Sequence, residues 1–238
     1  MCERQFYWTI ITTPINERDK TTEDVEDQQS RNPRDIGVIF HKVAKDGWDK
    51  ISLENMLVNP LNTLIKAFSH ENREVNDRLL NFAVIEAKRW ELTDNKEWYI
   101  PYVRERKYTS DTLKQFGTVD RIDRMSEDAF TIIDYKTGKR KDEDELILEL
   151  AWYAGIINTE HHIPGLITNG VMFFPNIYEM NNFIFHHVLT ADDFARARVV
   201  DATIRDAMRR NKYKRTDNVK ICRYCDFYGK QCIGPQRK

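Results

Sequence analysis

The segment TIIDYKTGKR, residues 131–140, ends an apolar, β-branched run in Asp134-Tyr135-Lys136. Side chains alternate along a strand, so Asp134 and Lys136 emerge on one face. A carboxylate beside an ammonium is an ion pair, and on a surface it need be nothing more. It is also half of what phosphoryl chemistry requires: an oxygen ligand for a divalent cation and a fixed positive charge for a phosphate. The preceding segment QFGTVDRIDRM (115–125) has strand character too, and a hairpin turn centred on Glu127 sets Asp120 opposite Asp134. Two carboxylates facing each other across a ladder repel, by a few tenths of a kcal/mol to about 1 kcal/mol. Either Lys136 or a cation such as Mg²⁺ or Mn²⁺, which favour carboxylate oxygens, relieves that repulsion. A slip of one residue in the register undoes the alignment.

The elements that must position these residues follow from the hydrophobic period. Val38, Ile39, Phe40, Val43 and Ala44 predict a helix from near Gly37. Val75, Leu79, Phe82, Ala83 and Ala87 predict a longer one over about 72–90. The period then changes to two, with strands expected over 99–108, 115–125 and 129–137. Residues 142–157 read as a helix with acids in its first turn, where the helix dipole favours them. Strands over 166–174 and 182–189 and a helix over 191–211 complete the pattern. This order implies an α/β core on a mixed sheet. The segment 12–35 is polar and reads as mobile surface, and 2–11 as a short aromatic helix or extended piece.

With 238 residues, 41% hydrophobic and 32% charged, the chain suits one globular core. No apolar run reaches the roughly 20 residues that span a bilayer, so no membrane role is expected. No secretory leader is evident either, and a cytoplasmic location is expected. From Arg196 onward stand thirteen basic residues against four acidic ones, a formal +9 that leaves −10 on the remainder of a chain of net charge −1. Such a tail is either a footprint for a phosphate backbone or a solvated helix face. There is no G-x4-G-K-[ST] loop, so any helicase motor it works with is a separate partner.

In order, the chain carries Gly37 and His41, then Gly117-Thr118-Val119-Asp120, then Asp134-Tyr135-Lys136, then Glu149 and Tyr153 four apart on one helix face. This series resembles the RecB-like nucleases of the PD-(D/E)XK superfamily, whose pattern is an early helical His, a G-x-x-D strand, a D-x-K strand and a Q-x-x-x-Y helix. The resemblance spans most of the chain. It implies a restriction-endonuclease-like core, a mixed sheet flanked by helices, and metal-dependent hydrolysis of DNA phosphodiesters. It also implies a divalent cation held by His41, Asp120, Asp134 and the carbonyl of Tyr135, with Lys136 orienting water or phosphate. Tyr153 matches the helix tyrosine. Glu105 falls where relatives often carry a further acid on the first strand. Glu149 departs from the family, which has Gln there, and its charge either adds a metal ligand or weakens the approach of DNA.

Cys222, Cys225 and Cys232 are spaced C-x2-C-x6-C, and the fourth cysteine, Cys2, lies at the other end of the chain. Four thiolates suit zinc or a cubane iron–sulfur cluster, and free thiols remain open. One cysteine before the core and three after it resembles the iron–sulfur members of the RecB-like group, including the CRISPR-associated exonucleases and AddB-type subunits. That likeness implies a structural 4Fe-4S cluster joining the two ends. On this reading residues 1–238 form one nuclease domain: a helical part over 36–95, an α/β core over 99–190, and a basic helix with the cysteines over 191–238. The expected substrate is DNA, single-stranded or with free ends, cut by an exonuclease in repair or recombination. The competing reading is a nucleic-acid-binding or scaffold module with impaired catalysis and a zinc or iron–sulfur staple.

Overall fold

A computed structural model describes residues 33–138, 140, 142–176 and 183–210. Cys2, Cys222, Cys225 and Cys232 lie outside the described residues, as do the segment 2–11 and most of 12–35. The chain divides into two compact units, residues 25–197 and the two ends, 1–24 with 198–238.

The larger unit begins with helices α1 (Pro33–Asp46), α2 (Leu53–Val58), α3 (Pro60–Ala67) and α4 (Arg73–Leu92). The periodicity signalled α1 and α4 and missed the two short helices. Asn59 divides those two: its side chain accepts from the Asn62 N–H and Pro60 takes the first turn of α3, where a missing N–H costs nothing. Asn72 caps α4 by accepting from the Val75 N–H.

Five strands follow: β1 (Val103–Ser110), β2 (Gln115–Arg124), β3 (Ala129–Tyr135), β4 (Leu166–Phe173) and β5 (Ile184–Val188), with helix α5 (Glu143–Thr159) between β3 and β4. Strand order is sequential. All neighbours are antiparallel except β3 and β4, the pair that a helical crossover must join. Helix α6 (Ala191–Arg209) closes the described chain. The β2–β3 ladder pairs Arg121 with Ile133 and Ile122 with Ile132, in the register the hairpin centred on Glu127 requires.

Each face of the sheet carries its own core. Under α5, Leu146, Leu150, Ala154 and Ile157 meet Ile122, Phe130, Ile132 and Ile167. On the other face, Phe40 of α1 and Leu79 and Phe82 of α4 meet Ile133, Tyr135 and Phe173. Strict alternation fails in the β1–β2 pair, as well as in β4, where the ladder to β3 shifts register beside Phe130 and Thr131. Val103 and Tyr108, five residues apart, share the core under α5, and so do Val119 and Ile122, three apart. The switch falls at Glu105, whose φ of 43° is left-handed. Ladder pairing resumes in unchanged register on either side, at Arg104 with Arg121 and at Arg106 with Val119. Glu105 and Asp120, opposite each other, are thus both released from the regular ladder.

Four arginines at the start of the basic tail are ion-paired. Arg196 pairs with Asp144, Arg205 with Asp201, and both Arg209 and Arg210 with Asp206. No helix among the described residues is long and apolar enough to cross a membrane.

Candidate metal and phosphate site

The irregularity at Glu105 and Asp120 gathers the first group of site residues. His41 sits on α1, and its Nδ1 lies 3.1 Å from Glu105 Oε1 and 3.4 Å from Asp120 Oδ1. Ligand atoms of His41, Glu105 and Asp120 all fall within 4.8 Å of one another. A left-handed φ at a glutamate costs on the order of 1–3 kcal/mol. Here it turns the Glu105 carboxylate out of the ladder towards the imidazole. Gly37, one turn earlier on α1, lets the helix approach: a Cβ there would lie 2.8 Å from Thr137 Oγ1.

Asp120 works with both oxygens. Its Oδ2 accepts the backbone N–H of Tyr135 at 2.7 Å, a donor just beyond the last paired rung of the β2–β3 ladder. The link ties β2 to the Asp134-Tyr135-Lys136 segment. The expected facing of Asp120 and Asp134 therefore takes the form of a side chain capping the end of the ladder.

Asp134 and Lys136 share the face towards α5, as period two requires. Lys136 Nζ lies 2.7 Å from Asp134 Oδ2 and donates to Glu149 Oε1 at 2.9 Å. The contact with Asp134 is an ion contact that leaves its buried Oδ2 without a well-aligned hydrogen bond. Among the described residues, the three-ligand cluster does not include Asp134, which the family pattern assigns to the metal. Glu105, carried over as an accessory acid, is in that cluster instead. Tyr153 stands one turn beyond Glu149 on α5, against β2 at Gly117: a Cβ on Gly117 would come within 2.6 Å of the Tyr153 ring. The G-x-x-D glycine thus has a steric reason, the close approach of α5.

Electrostatics follow this geometry. Burial disfavours imidazolium at His41, but Asp120 and Glu105 outweigh it and raise its pKa to about 10. Burial, then the charge of Asp120, pushes Asp134 up to about 7 despite Lys136. Burial opposes the charge on Lys136, but Asp134 and Glu149 hold its pKa above the usual lysine range. Burial, then Asp134 and Glu149, keeps the Tyr153 hydroxyl protonated well above the ordinary range.

A second cluster, which sequence reasoning missed, lies behind Tyr135. Arg121, 1% exposed, donates to both oxygens of Glu86 and both of Asp123, with distances from 2.6 to 3.3 Å. It also donates to the Tyr135 hydroxyl at 3.3 Å. Arg89 completes the group, 2.8 Å from Glu86 and 3.3 Å from Asp123. Two acids and two guanidiniums are neutral together. The Tyr135 ring they support packs edge-on to His41, with centroids 5.7 Å apart.

An imidazole and carboxylates converging at the end of a strand, next to an ammonium, are a donor set that suits a divalent cation. The family model of the PD-(D/E)XK nuclease superfamily matches residues 1–230. The chain belongs to this superfamily. No curated protein matches it. Superfamily membership supplies the reading of the geometry: carboxylates and an ammonium at the end of a hairpin are what metal-dependent nucleases use.

With its pKa raised, His41 of the metal-free site carries a proton that a cation must displace. Mn²⁺ affinity is therefore expected to rise steadily from pH 6 to pH 9, with net proton release on binding. Calorimetry in buffers of different ionisation enthalpy measures both. A flat profile would remove His41 from the ligand set.

Proposed function

We propose that this chain is a divalent-metal-dependent deoxyribonuclease, acting as an exonuclease on single-stranded DNA or DNA ends. The observation that carries the reading is the convergence of His41, Glu105 and Asp120 within 4.8 Å beside Lys136 and Asp134. His41, Glu105, Asp120 and Asp134 bind Mg²⁺ or Mn²⁺, with the Tyr135 carbonyl as a further oxygen. When bound, the cation supplies Lewis acidity at the phosphoryl group and an acidified water. Lys136 holds the scissile phosphate and offsets its developing charge. Asp120 fixes the backbone at Tyr135, so the acid and the lysine keep their separation. Tyr153 presents a neutral hydroxyl as a hydrogen-bond donor from α5.

The four cysteines, Cys2 with Cys222, Cys225 and Cys232, we assign to a structural 4Fe-4S cluster on the family resemblance. Zinc in the same thiolates is the alternative. A separate helicase or recombination partner would deliver the strand, inside the cell where the DNA is.

The test is direct. Protein purified anaerobically is incubated with end-labelled single- and double-stranded DNA in Mg²⁺, Mn²⁺ or EDTA. Cleavage is expected with either cation and none in EDTA, and the product ladder reports polarity. DNA binding without cleavage in both cations would replace the nuclease by a binding module. The same preparation is expected to be brown and to contain iron and sulfide, and a colourless, zinc-containing protein would remove the cluster.

A further inference from the structure

The unusual member of the site is Glu149. Its carboxylate and that of Asp134 hold Lys136 between them, at 2.9 and 2.7 Å. The ammonium that should meet a phosphate is already neutralised by ion contacts. Glu149 is not placed there by a floppy loop. It sits in the middle of α5, whose neighbouring Leu150 and Ala151 are buried in the core, and the absent side chain at Gly117 fixes how close that helix lies. Among the described side chains of the site, the carboxylates of Glu105, Asp120, Asp134 and Glu149 accompany His41 and Lys136. A phosphodiester approaching the metal-free site meets an occupied lysine.

We infer that Glu149 is a latch on Lys136 that makes DNA binding conditional on the divalent cation. The inference rests on the nuclease reading and concerns how that site is ordered. Without a cation, Glu149 and Asp134 together retain Lys136. A cation brings two positive charges to the cluster and competes with Lys136 for the Asp134 carboxylate, so a phosphate then contends with Glu149 alone. A glutamine at this position, with the same reach and no charge, would leave Lys136 held by Asp134 alone in the metal-free site. The chain thereby avoids holding DNA in a site that cannot cut it.

The experiment is fluorescence anisotropy with a labelled single-stranded oligonucleotide whose phosphorothioate linkages resist cleavage, in EDTA and in Mg²⁺. For the wild type, binding is expected to be weak in EDTA and strongly improved by Mg²⁺. For Glu149→Gln, binding in EDTA is expected to tighten about tenfold, the scale of removing one partly screened charge near a phosphate, and the improvement by Mg²⁺ to shrink to match. In a Lys136→Met background the same substitution is expected to lose most of its effect, because the latch acts through that lysine. Calorimetric Mn²⁺ affinity of Glu149→Gln is expected within about threefold of wild type. Unchanged DNA binding in EDTA, an equal gain in the Lys136→Met background, or a Mn²⁺ affinity lowered tenfold or more would each overturn the latch. The last would make Glu149 a metal ligand. A wild-type protein that cleaves DNA while showing one of these results loses only the latch. One that neither binds nor cleaves DNA loses the nuclease reading, and the latch with it.

Discussion

Asp134→Asn is expected to lower DNA cleavage by on the order of a thousandfold and, in metal-free protein at pH 8, to raise the melting temperature. The two effects have one cause. Burial and the Asp120 charge push Asp134 up to about 7, against an ordinary carboxylate value near 4. A group whose folded pKa lies above its unfolded value stabilises the fold while protonated. That contribution is present below about pH 4 and is lost as pH rises through 7. At pH 8 the metal-free wild type thus carries an unfavourable buried charge, and the neutral asparagine removes it, a gain on the order of 1–3 kcal/mol. The contact with Lys136 at 2.7 Å is weakened, but Glu149 still holds the ammonium. Catalysis moves the other way. A divalent cation contributes several kcal/mol to charge stabilisation in the transition state, and each 1.4 kcal/mol lost is about a factor of ten. Thermal unfolding in EDTA at pH 5 and pH 8, beside single-turnover cleavage in Mg²⁺, checks both. The stability gain should shrink markedly at pH 5. A variant that cuts within tenfold of wild type would take Asp134 out of the metal site.

This opposition explains which parts of the site are legible in the sequence. Asp134 and Lys136 obey strand period two, and Glu149 and Tyr153 obey the helical one, so spacing alone put each pair on a common face. The hairpin register was legible because a short turn centred on Glu127 leaves few alternatives for the two strands it joins. Glu105 was not legible in the same way. It reaches His41 through a left-handed backbone, and a local break in alternation leaves no trace in a hydrophobic pattern. The start of β1 was misplaced for a related reason. Tyr99 reads as strand, yet its carbonyl accepts from Arg89 and its hydroxyl donates to the Glu86 carbonyl, so β1 begins only at Val103. Helices α2 and α3 are too short to show a period across Asn59 and Pro60. The buried ion cluster is the largest omission. Glu86 and Arg89 on a helix, or Arg121 and Asp123 on a strand, look in isolation like solvated charges, and only the packing of α4 on the sheet buries Glu86, Arg121 and Asp123, with the half-buried Arg89 at their edge.

That cluster gives the second large effect: Arg121→Met is expected to destabilise the fold by about 3–5 kcal/mol. The side chain is 1% exposed and has Glu86 and Asp123 on its donors and the Trp48 ring 4.7 Å from its guanidinium. Methionine fills much of the volume, so the loss is chiefly electrostatic: two buried carboxylates are left with Arg89 alone. Melting should fall by roughly 10 °C, at about 2–4 °C per kcal/mol for a chain of this size. The pH dependence separates this from a packing defect. Burial opposes ionisation of Glu86, but Arg121 and Arg89 overcome it and hold its pKa below the ordinary value. In the wild type this stabilisation is present above the ordinary glutamate pKa and is lost as pH falls through the lowered one. Without Arg121, Glu86 takes up a proton more readily, so the difference between variant and wild type should narrow from pH 8 to pH 5. Adding Glu86→Gln and Asp123→Asn should recover part of the loss at pH 8, because the charges that lack partners are then gone. Since Tyr135 rests on this cluster and lies against His41, the rescued triple variant also tests a link to the site. Restored melting with Mn²⁺ affinity still reduced would mean that the buried ions hold Tyr135 and His41 in place. Restored melting with wild-type affinity would confine them to stability.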